Sequence, residues 1–126
     1  MPGLNAALGL AQIKNIKKII KYKKKIFKKY SSEISKSKSF EIIKEPKKSK
    51  SNFWLQNIKL KKKFSKYINI ILKITNQEGY NTRSAWTLLH LQKHFKNCPK
   101  SNLKVSIDLH KRIISLPSST NILHEI

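Results

Sequence analysis

Acidic residues and arginine are both scarce in this chain of 126 residues. Asp and Glu number six against 28 Lys and Arg, which gives a formal net charge of +22. A charge of that size favours a polyanionic partner such as nucleic acid. Arg83 and Arg112 are the only arginines, however, and arginine provides the bidentate contacts that recognise a guanine or clamp a phosphate. Their scarcity argues against sequence-specific recognition of nucleic acid.

The excess of lysine has two interpretations. Lysine occurs here with abundant Ile, Asn and Ser, a mixture that AT-rich coding sequence produces without selection for binding. We favour this interpretation. The alternative is a small lysine-rich nucleic-acid-binding protein, and we expect any such binding to be weak and non-specific.

Cysteine and long apolar runs are also nearly absent. The single cysteine, Cys98, excludes an intramolecular disulfide and fits a reducing compartment. The apolar stretch Ile68–Ile74 is too short to cross a bilayer and is interrupted by Asn69 and Lys73. The opening residues MPGLNAALGLAQI lack the basic residues that begin a secretory signal. These features predict a cytoplasmic protein without a membrane partner.

Hydrophobic periodicity predicts four elements in the first two thirds of the chain. Apolar residues at spacings near three and four predict a long amphipathic helix over residues 4–34, with lysines on its other side. A short strand is predicted at Phe40–Ile43 and a longer one, with alternating faces, at Asn52–Leu60. A second amphipathic helix is predicted over Phe64–Ile74, ending before Gly79. We expect this helix to pack on the longer strand.

The remaining residues predict shorter elements. They are an extended segment Tyr80–Trp86, a short helix near Leu91–Phe95, a helix capped by Ser101 or Asn102 that ends near Lys111, and a loop at Pro117–Ser119. The alternation of helices and strands predicts an α/β or α+β layer. No internal repeat is present.

Four stretches carry a family resemblance. They are MPGLNAALGLAQI at the start, NFWL from Asn52, GYNTRSAWTLLHLQKHFKNCP from Gly79 and RIISLPSSTNI from Arg112. Together they resemble the C-terminal part of the DegT/DnrJ/StrS sugar aminotransferases, which use pyridoxal phosphate (PLP). The branch that leads to legionaminic-acid-like sugars is the most similar.

The resemblance implies a fold-type I aminotransferase small domain preceded by a long connecting helix. Residues 1–34 correspond to that helix, and residues 35–126 to a small C-terminal domain truncated at its end. The likeness covers only the last third or so of such an enzyme, so we expect the N-terminal PLP-binding domain to be lacking. The apolar stripe of the first helix is then expected to stay under-buried.

The resemblance also implies an activity for the full-length family. Such enzymes are homodimers that move an amino group, commonly from glutamate, onto a nucleotide-linked keto-sugar for surface polysaccharide or glycan synthesis. No lysine of this sequence lies in a motif matching the cofactor-binding lysine, so we assign no catalytic and no cofactor-binding residue and expect no PLP on this chain alone. Whether the isolated chain is an enzyme stays open, although we expect it to be inactive.

The segment Thr82–His90 holds the candidate substrate-binding residues. The family usually shows Thr-Arg-Pro-x-Trp, and here Ser84 stands in place of the proline. The resemblance places this segment at the mouth of the active site. Arg83 suits a phosphate or carboxylate, Trp86 a sugar face and His90 a hydroxyl or phosphate, and we expect the three to cluster at the edge of the sheet. Alternatively, Trp86 packs in the core and Arg83 is only an exposed charge.

Two further patterns have structural explanations that we favour. Trp54 could stack on single-stranded nucleic acid beside Lys59 and Lys61–Lys63, but an aromatic residue on a strand is more often part of the core.

His90, His94 and Cys98 have the i, i+4, i+8 spacing of zinc ligands on a helix. Pro99 follows directly and a fourth ligand is lacking, so we predict no metal site.

Overall fold

The computed structural model describes residues 2–124; Met1 of the opening motif, Glu125 and Ile126 lie outside the described residues. The chain forms helix α1 (Gly3–Ser35), strands β1 (Phe40–Ile42) and β2 (Gln56–Leu60), helix α2 (Ile68–Gln77), strand β3 (Arg83–Ser84), helix α3 (Lys104–His110) and strand β4 (Ile113–Leu116). Short 3-10 helices lie at Lys62–Tyr67, Leu89–Leu91, Lys93–Phe95 and Thr120–His124. Helices and strands are mixed, as the sequence predicted.

The four strands form one antiparallel sheet in the order β1-β2-β4-β3. Gln56 pairs with Leu116 and Ile58 with Ile114, so β2 and β4 are the central strands. Strand β4 was not predicted from the sequence, although it carries two β-branched residues between a helix and Pro117. Such a run of four residues is too short to show the strand period clearly.

The core lies between the sheet and two helices. Ile58, Leu60 and Ile114 are almost completely buried. Side chains from both helices and the intervening 3-10 helix pack against them, namely Ile34, Phe64, Ile68, Ile71 and Leu72. The predicted packing of the second amphipathic helix on β2 is therefore confirmed, although the helix proper begins at Ile68 after a 3-10 turn.

Helix α1 is a single helix of 33 residues, which agrees with the prediction for residues 4–34. Its second half packs on the domain, where Ile26 is fully buried and Phe27 contacts Phe53 with ring centroids 4.9 Å apart. Its first half leaves apolar side chains exposed, namely Leu4, Leu8, Leu10, Ile13 and Ile16. The expected under-buried stripe is thus present. Within residues 2–124, no helix combines the length and apolar character needed to cross a membrane.

The predicted strand Asn52–Leu60 is wrong in its first half. Phe53 has a φ of 53°, in the left-handed region that a strand cannot contain. The Ser51 hydroxyl accepts a hydrogen bond from the Phe53 amide at 2.9 Å, and the Asn52 side-chain oxygen accepts one from the Trp54 amide at 3.0 Å. These local hydrogen bonds hold a turn, so the strand begins only at Gln56.

Two other predicted elements are shorter than expected. Only Arg83 and Ser84 of the extended segment Tyr80–Trp86 pair as a strand. The short helix expected near Leu91–Phe95 is replaced by two 3-10 turns on either side of Gln92, whose ψ of 139° is extended. His90, His94 and Cys98 consequently do not share one helix face, which removes the geometry of the zinc spacing.

Candidate functional site

One face of the sheet is covered by the helices, and the other carries polar side chains. Successive side chains on a strand point to opposite faces, so Asn57 and Ser115 face away from the core that Ile58 and Ile114 form. Arg83 pairs with Ser115 and therefore lies on the same outer face. The register places Asn57, Ser115 and Arg83 in one row across three strands.

This row is the floor of a groove of about 780 Å³, which we call the tryptophan groove. Its lining comprises Trp54, Leu55, Asn57, Arg83, Ser84, Ala85, Trp86, Thr87, Ile113 and Ser115. The Ser115 hydroxyl donates a hydrogen bond of 2.8 Å to the Asn57 side-chain oxygen, and this contact orients the Asn57 amide group. The floor is thus polar and uncharged apart from Arg83.

The two tryptophans form the aromatic part of the groove. Their ring centroids are 6.0 Å apart and the planes are inclined by 56°, a separation typical of interacting aromatic pairs. Trp54 is 60% exposed and Trp86 73% exposed. The expectation that Trp54 belongs to the core is therefore wrong. The reason is the turn at Phe53, which directs Phe53 inward against α1 and leaves Trp54 on the outer side.

A hydrogen-bonded cluster fixes the backbone of Trp54. The Ser118 hydroxyl donates to the Trp54 carbonyl oxygen at 2.8 Å, and the Lys23 ammonium donates to the Ser118 carbonyl oxygen at 2.8 Å. Burial lowers the pKa of the Lys23 ammonium. Nearby, the Tyr30 hydroxyl donates to the Pro117 carbonyl oxygen at 3.0 Å, and burial raises its pKa. Helix α1 and the loop Pro117–Ser119 therefore hold one wall of the groove.

The structure brings together two of the three predicted substrate-binding residues. Arg83 and Trp86 both line the tryptophan groove and are exposed. His90 is half-buried on the 3-10 helix Leu89–Leu91 and does not contribute to the lining. The alternative in which Trp86 packs in the core does not hold, because its side chain is largely exposed.

Sequence reasoning missed Asn57, Ser115 and Ser118 as site residues. The sequence placed Asn57 in a predicted strand. Because β4 was not predicted, the pairing of Asn57 with Ser115 could not be recognised. The signal for Ser115 was its position between apolar residues in Ile113–Leu116, where alternation sets it apart from Ile114 and Leu116. Ser118 carried no signal, since its contact to Trp54 joins residues far apart in sequence.

The groove is suited to binding rather than to chemistry. A PLP site needs a lysine for the aldehyde, a carboxylate beside the pyridine nitrogen and donors for the phosphate. The residues that line the groove include neither lysine nor carboxylate. They do not fit PLP by themselves. A guanidinium, two aromatic faces and neutral hydrogen-bonding groups can instead hold an anionic ligand with a flat or sugar-like part.

Comparison with solved structures shows the same fold in two aminotransferases and in a protein solved with its TDP-sugar product. Helicobacter pylori PseC, an aminotransferase involved in the biosynthesis of pseudoaminic acid, is similar with a TM-score of 0.82 and 22% identity over 92% of this chain and 32% of its own. DesI, solved with its TDP-sugar product, has a TM-score of 0.83 and 18% identity over 93% of this chain and 30% of its own. The aminotransferase TlmJ from Streptoalloteichus hindustanus has a TM-score of 0.80 and 14% identity, over 92% of this chain and 30% of its own.

These likenesses support the predicted α+β fold of an aminotransferase small domain with a long preceding helix. The chain spans about a third of the length of these solved structures. A comparison with curated protein sequences returns no match. A scan of protein families matches residues 1–125 to the DegT/DnrJ/EryC1/StrS aminotransferase family. The chain therefore belongs to the DegT/DnrJ/EryC1/StrS aminotransferase family.

Proposed function

We propose that this chain is the small-domain part of a PLP-dependent nucleotide-sugar aminotransferase and that its tryptophan groove binds the nucleotide-sugar substrate. Residues 1–34 act as the connecting helix and residues 35–126 as the small domain. The amino-transfer reaction needs PLP, which a large domain supplies, and the small domain contributes substrate binding. The enzyme acts in the cytoplasm on a sugar destined for a surface glycan, of the legionaminic-acid type that the sequence motifs resemble.

The observation that carries this proposal is the position of Arg83 beside Trp54 and Trp86. A nucleotide-linked sugar presents a diphosphate next to two ring systems. Arg83 offers a planar guanidinium fork to a phosphate, and the indole faces offer stacking surfaces to a base or a sugar. His90 lies four residues beyond Trp86 and is proposed to contact the ligand outside the groove.

The proposed dependence on a large domain is supported by helix α1. Its first half exposes a contiguous set of leucine and isoleucine side chains that residues 2–124 do not cover, with Leu4 at 82% exposure. Exposed apolar surface of this kind marks a protein interface. We propose that this surface contacts the PLP-binding domain or the second subunit of a homodimer, and that the isolated chain neither binds PLP nor transaminates.

The proposal can be tested with tryptophan fluorescence. The chain contains only two tryptophans, and both line the groove, so tryptophan emission, excited at a wavelength that tyrosine does not absorb, reports on this site alone. Titration with UDP and with dTDP should give saturable quenching, and inorganic phosphate should give none at the same concentrations. An emission spectrum that neither nucleotide changes, at ligand concentrations well into the millimolar range, would contradict the assignment.

A further inference from the structure

Five lysines form a straight stripe along helix α1. Lys14, Lys18, Lys21, Lys25 and Lys28 follow one another at alternating spacings of four and three, which places them on one helix face. All five are exposed. At 1.5 Å per residue the stripe is about 21 Å long. We call these residues the lysine stripe.

Within residues 2–124, no carboxylate forms an ion pair with a lysine of the stripe. The only acidic residue in α1 is Glu33, which forms an ion pair of 2.9 Å with Lys36 beyond the stripe. The other two ion pairs within residues 2–124 join Lys59 to Glu41 and Arg112 to Asp108. Lysines three and four positions apart repel each other when no acid separates them. A negatively charged partner would relieve this repulsion.

The packing of α1 decides which polyanion fits. A helix that binds a membrane surface needs a free apolar side next to its basic side. Along the second half of the lysine stripe, from Lys21 to Lys28, the apolar side of α1 turns towards the domain, where Ile26 is fully buried and Phe27 contacts Phe53. The exposed apolar side chains of α1 lie before the stripe or beside its first two lysines, namely Leu4, Leu8, Leu10, Ile13 and Ile16. From Lys21 to Lys28 the stripe therefore meets a partner through charge alone.

We propose that the lysine stripe binds the phosphate backbone of duplex nucleic acid without sequence preference. The length of the stripe covers several successive phosphates of a duplex, which carries one charge for about every 1.7 Å of its axis. Lysine is a point charge that neutralises phosphates but does not discriminate between bases. The site lies on α1, away from the tryptophan groove, and does not depend on the function proposed for that groove.

The test is a fluorescence anisotropy titration of the 126-residue chain with a labelled duplex of two helical turns, at salt concentrations from about 50 to 200 mM. We expect the logarithm of the association constant to fall with the logarithm of salt with a slope of about −4 to −5, since about five phosphates are neutralised. Substituting all five stripe lysines by glutamine should reduce that slope by about four.

A charge-matched variant provides the control. Lys44, Lys47, Lys50, Lys96 and Lys100 are exposed and lie outside helix α1, and replacing them by glutamine removes the same net charge. This variant should keep the slope within about one of the original. Circular dichroism checks that both variants keep their helix content.

Three results would overturn the proposal. The first is an equal loss of slope in the two variants, which would make binding a matter of net charge only. The second is a preference of more than about tenfold between two unrelated duplex sequences. The third is binding of the chain to phosphatidylserine vesicles under conditions where the duplex does not bind.

Discussion

Arg112 and Leu60 are joined by two hydrogen bonds that run in opposite directions. The Arg112 guanidinium donates to the Leu60 carbonyl oxygen at 2.8 Å, and the Leu60 amide donates to the Arg112 carbonyl oxygen at 2.9 Å. Arg112 is only 7% exposed, and its guanidinium also pairs with the Asp108 carboxylate. One side chain thus connects the end of β2 to the last turn of α3.

Replacing Arg112 by leucine should destabilise the fold by about 1–3 kcal/mol, because the buried carbonyl loses its charged donor. Urea unfolding followed by circular dichroism measures this as a lower midpoint with an unchanged slope. The matched control is Arg83→Leu, since Arg83 is the only other arginine and is exposed. That change should cost less than about 0.5 kcal/mol. Equal losses in the two variants would contradict the structural role of Arg112.

Two ion pairs predict how stability depends on pH. A hydrogen bond from Arg112 and its charge hold the pKa of the Asp108 carboxyl below its usual value, and a hydrogen bond from Lys59 does the same for the pKa of Glu41. A carboxyl whose pKa is lower in the folded chain stabilises the fold above its unfolded pKa, and this contribution is lost as pH falls. We expect the melting temperature to fall as the pH drops below about 4.

The variants Asp108→Asn and Glu41→Gln test that assignment. Each should lower the melting temperature at neutral pH and make the decline below about pH 4 shallower. Glu78→Gln removes a carboxylate that has no ion pair within residues 2–124 and serves as the control. A decline of the same steepness in all three variants would show that neither ion pair causes it.

Variants of the tryptophan groove test the substrate proposal. Trp86→Ala should weaken nucleotide binding by roughly 5- to 100-fold, the effect of losing one stacked base. Arg83→Lys should also weaken it, because an ammonium cannot make the bidentate contact. His90→Ala should have a smaller effect, since His90 lies outside the groove lining. Isothermal titration with UDP or dTDP measures each loss, and an effect of His90→Ala larger than that of Trp86→Ala would relocate the site.

Gly79 ends helix α2 in a conformation that other residues adopt at a cost. Its φ is 85°, and a Cβ atom added to it would have no neighbouring atom within 4 Å. Gly79→Ala should therefore destabilise the fold by about 1–2 kcal/mol through backbone strain alone. Gly9→Ala, in an equally open position within helix α1, should not destabilise it, because alanine is the better helix former. Thermal unfolding of the two variants distinguishes strain from crowding.

The sequence predicted those parts of the fold whose period is long enough to recognise. Helix α1 and the stretch that ends at Gly79 repeat their apolar residues over several turns, and both are helical as expected. Strand β4 was missed because four residues do not establish a period, and its pairing with β2 is a contact between distant parts of the chain. The error at Phe53 arose because the Ser51 and Asn52 side chains compete with the strand for backbone amides.

The same limits apply to the candidate site. The Arg83 and Trp86 motif could be found because both residues lie within one short segment. The approach of Trp54 to Trp86 could not, since it depends on the turn at Phe53 and on the Ser118 contact. The family resemblance placed His90 with Arg83 and Trp86, whereas the 3-10 turn at Leu89–Leu91 keeps its side chain out of the groove lining.

The strand order has a consequence for how the chain behaves in concentrated solution. The longer strands, β2 and β4, lie inside the sheet, whereas the edge strands β1 and β3 have three and two residues. An exposed sheet edge templates pairing with another chain, and its capacity grows with the number of free amides and carbonyls. Strand β3 carries Arg83 and strand β1 carries Glu41. Edge strands this short have few free amides and carbonyls with which a second copy of the chain could pair. The sheet is thereby protected from edge-to-edge aggregation.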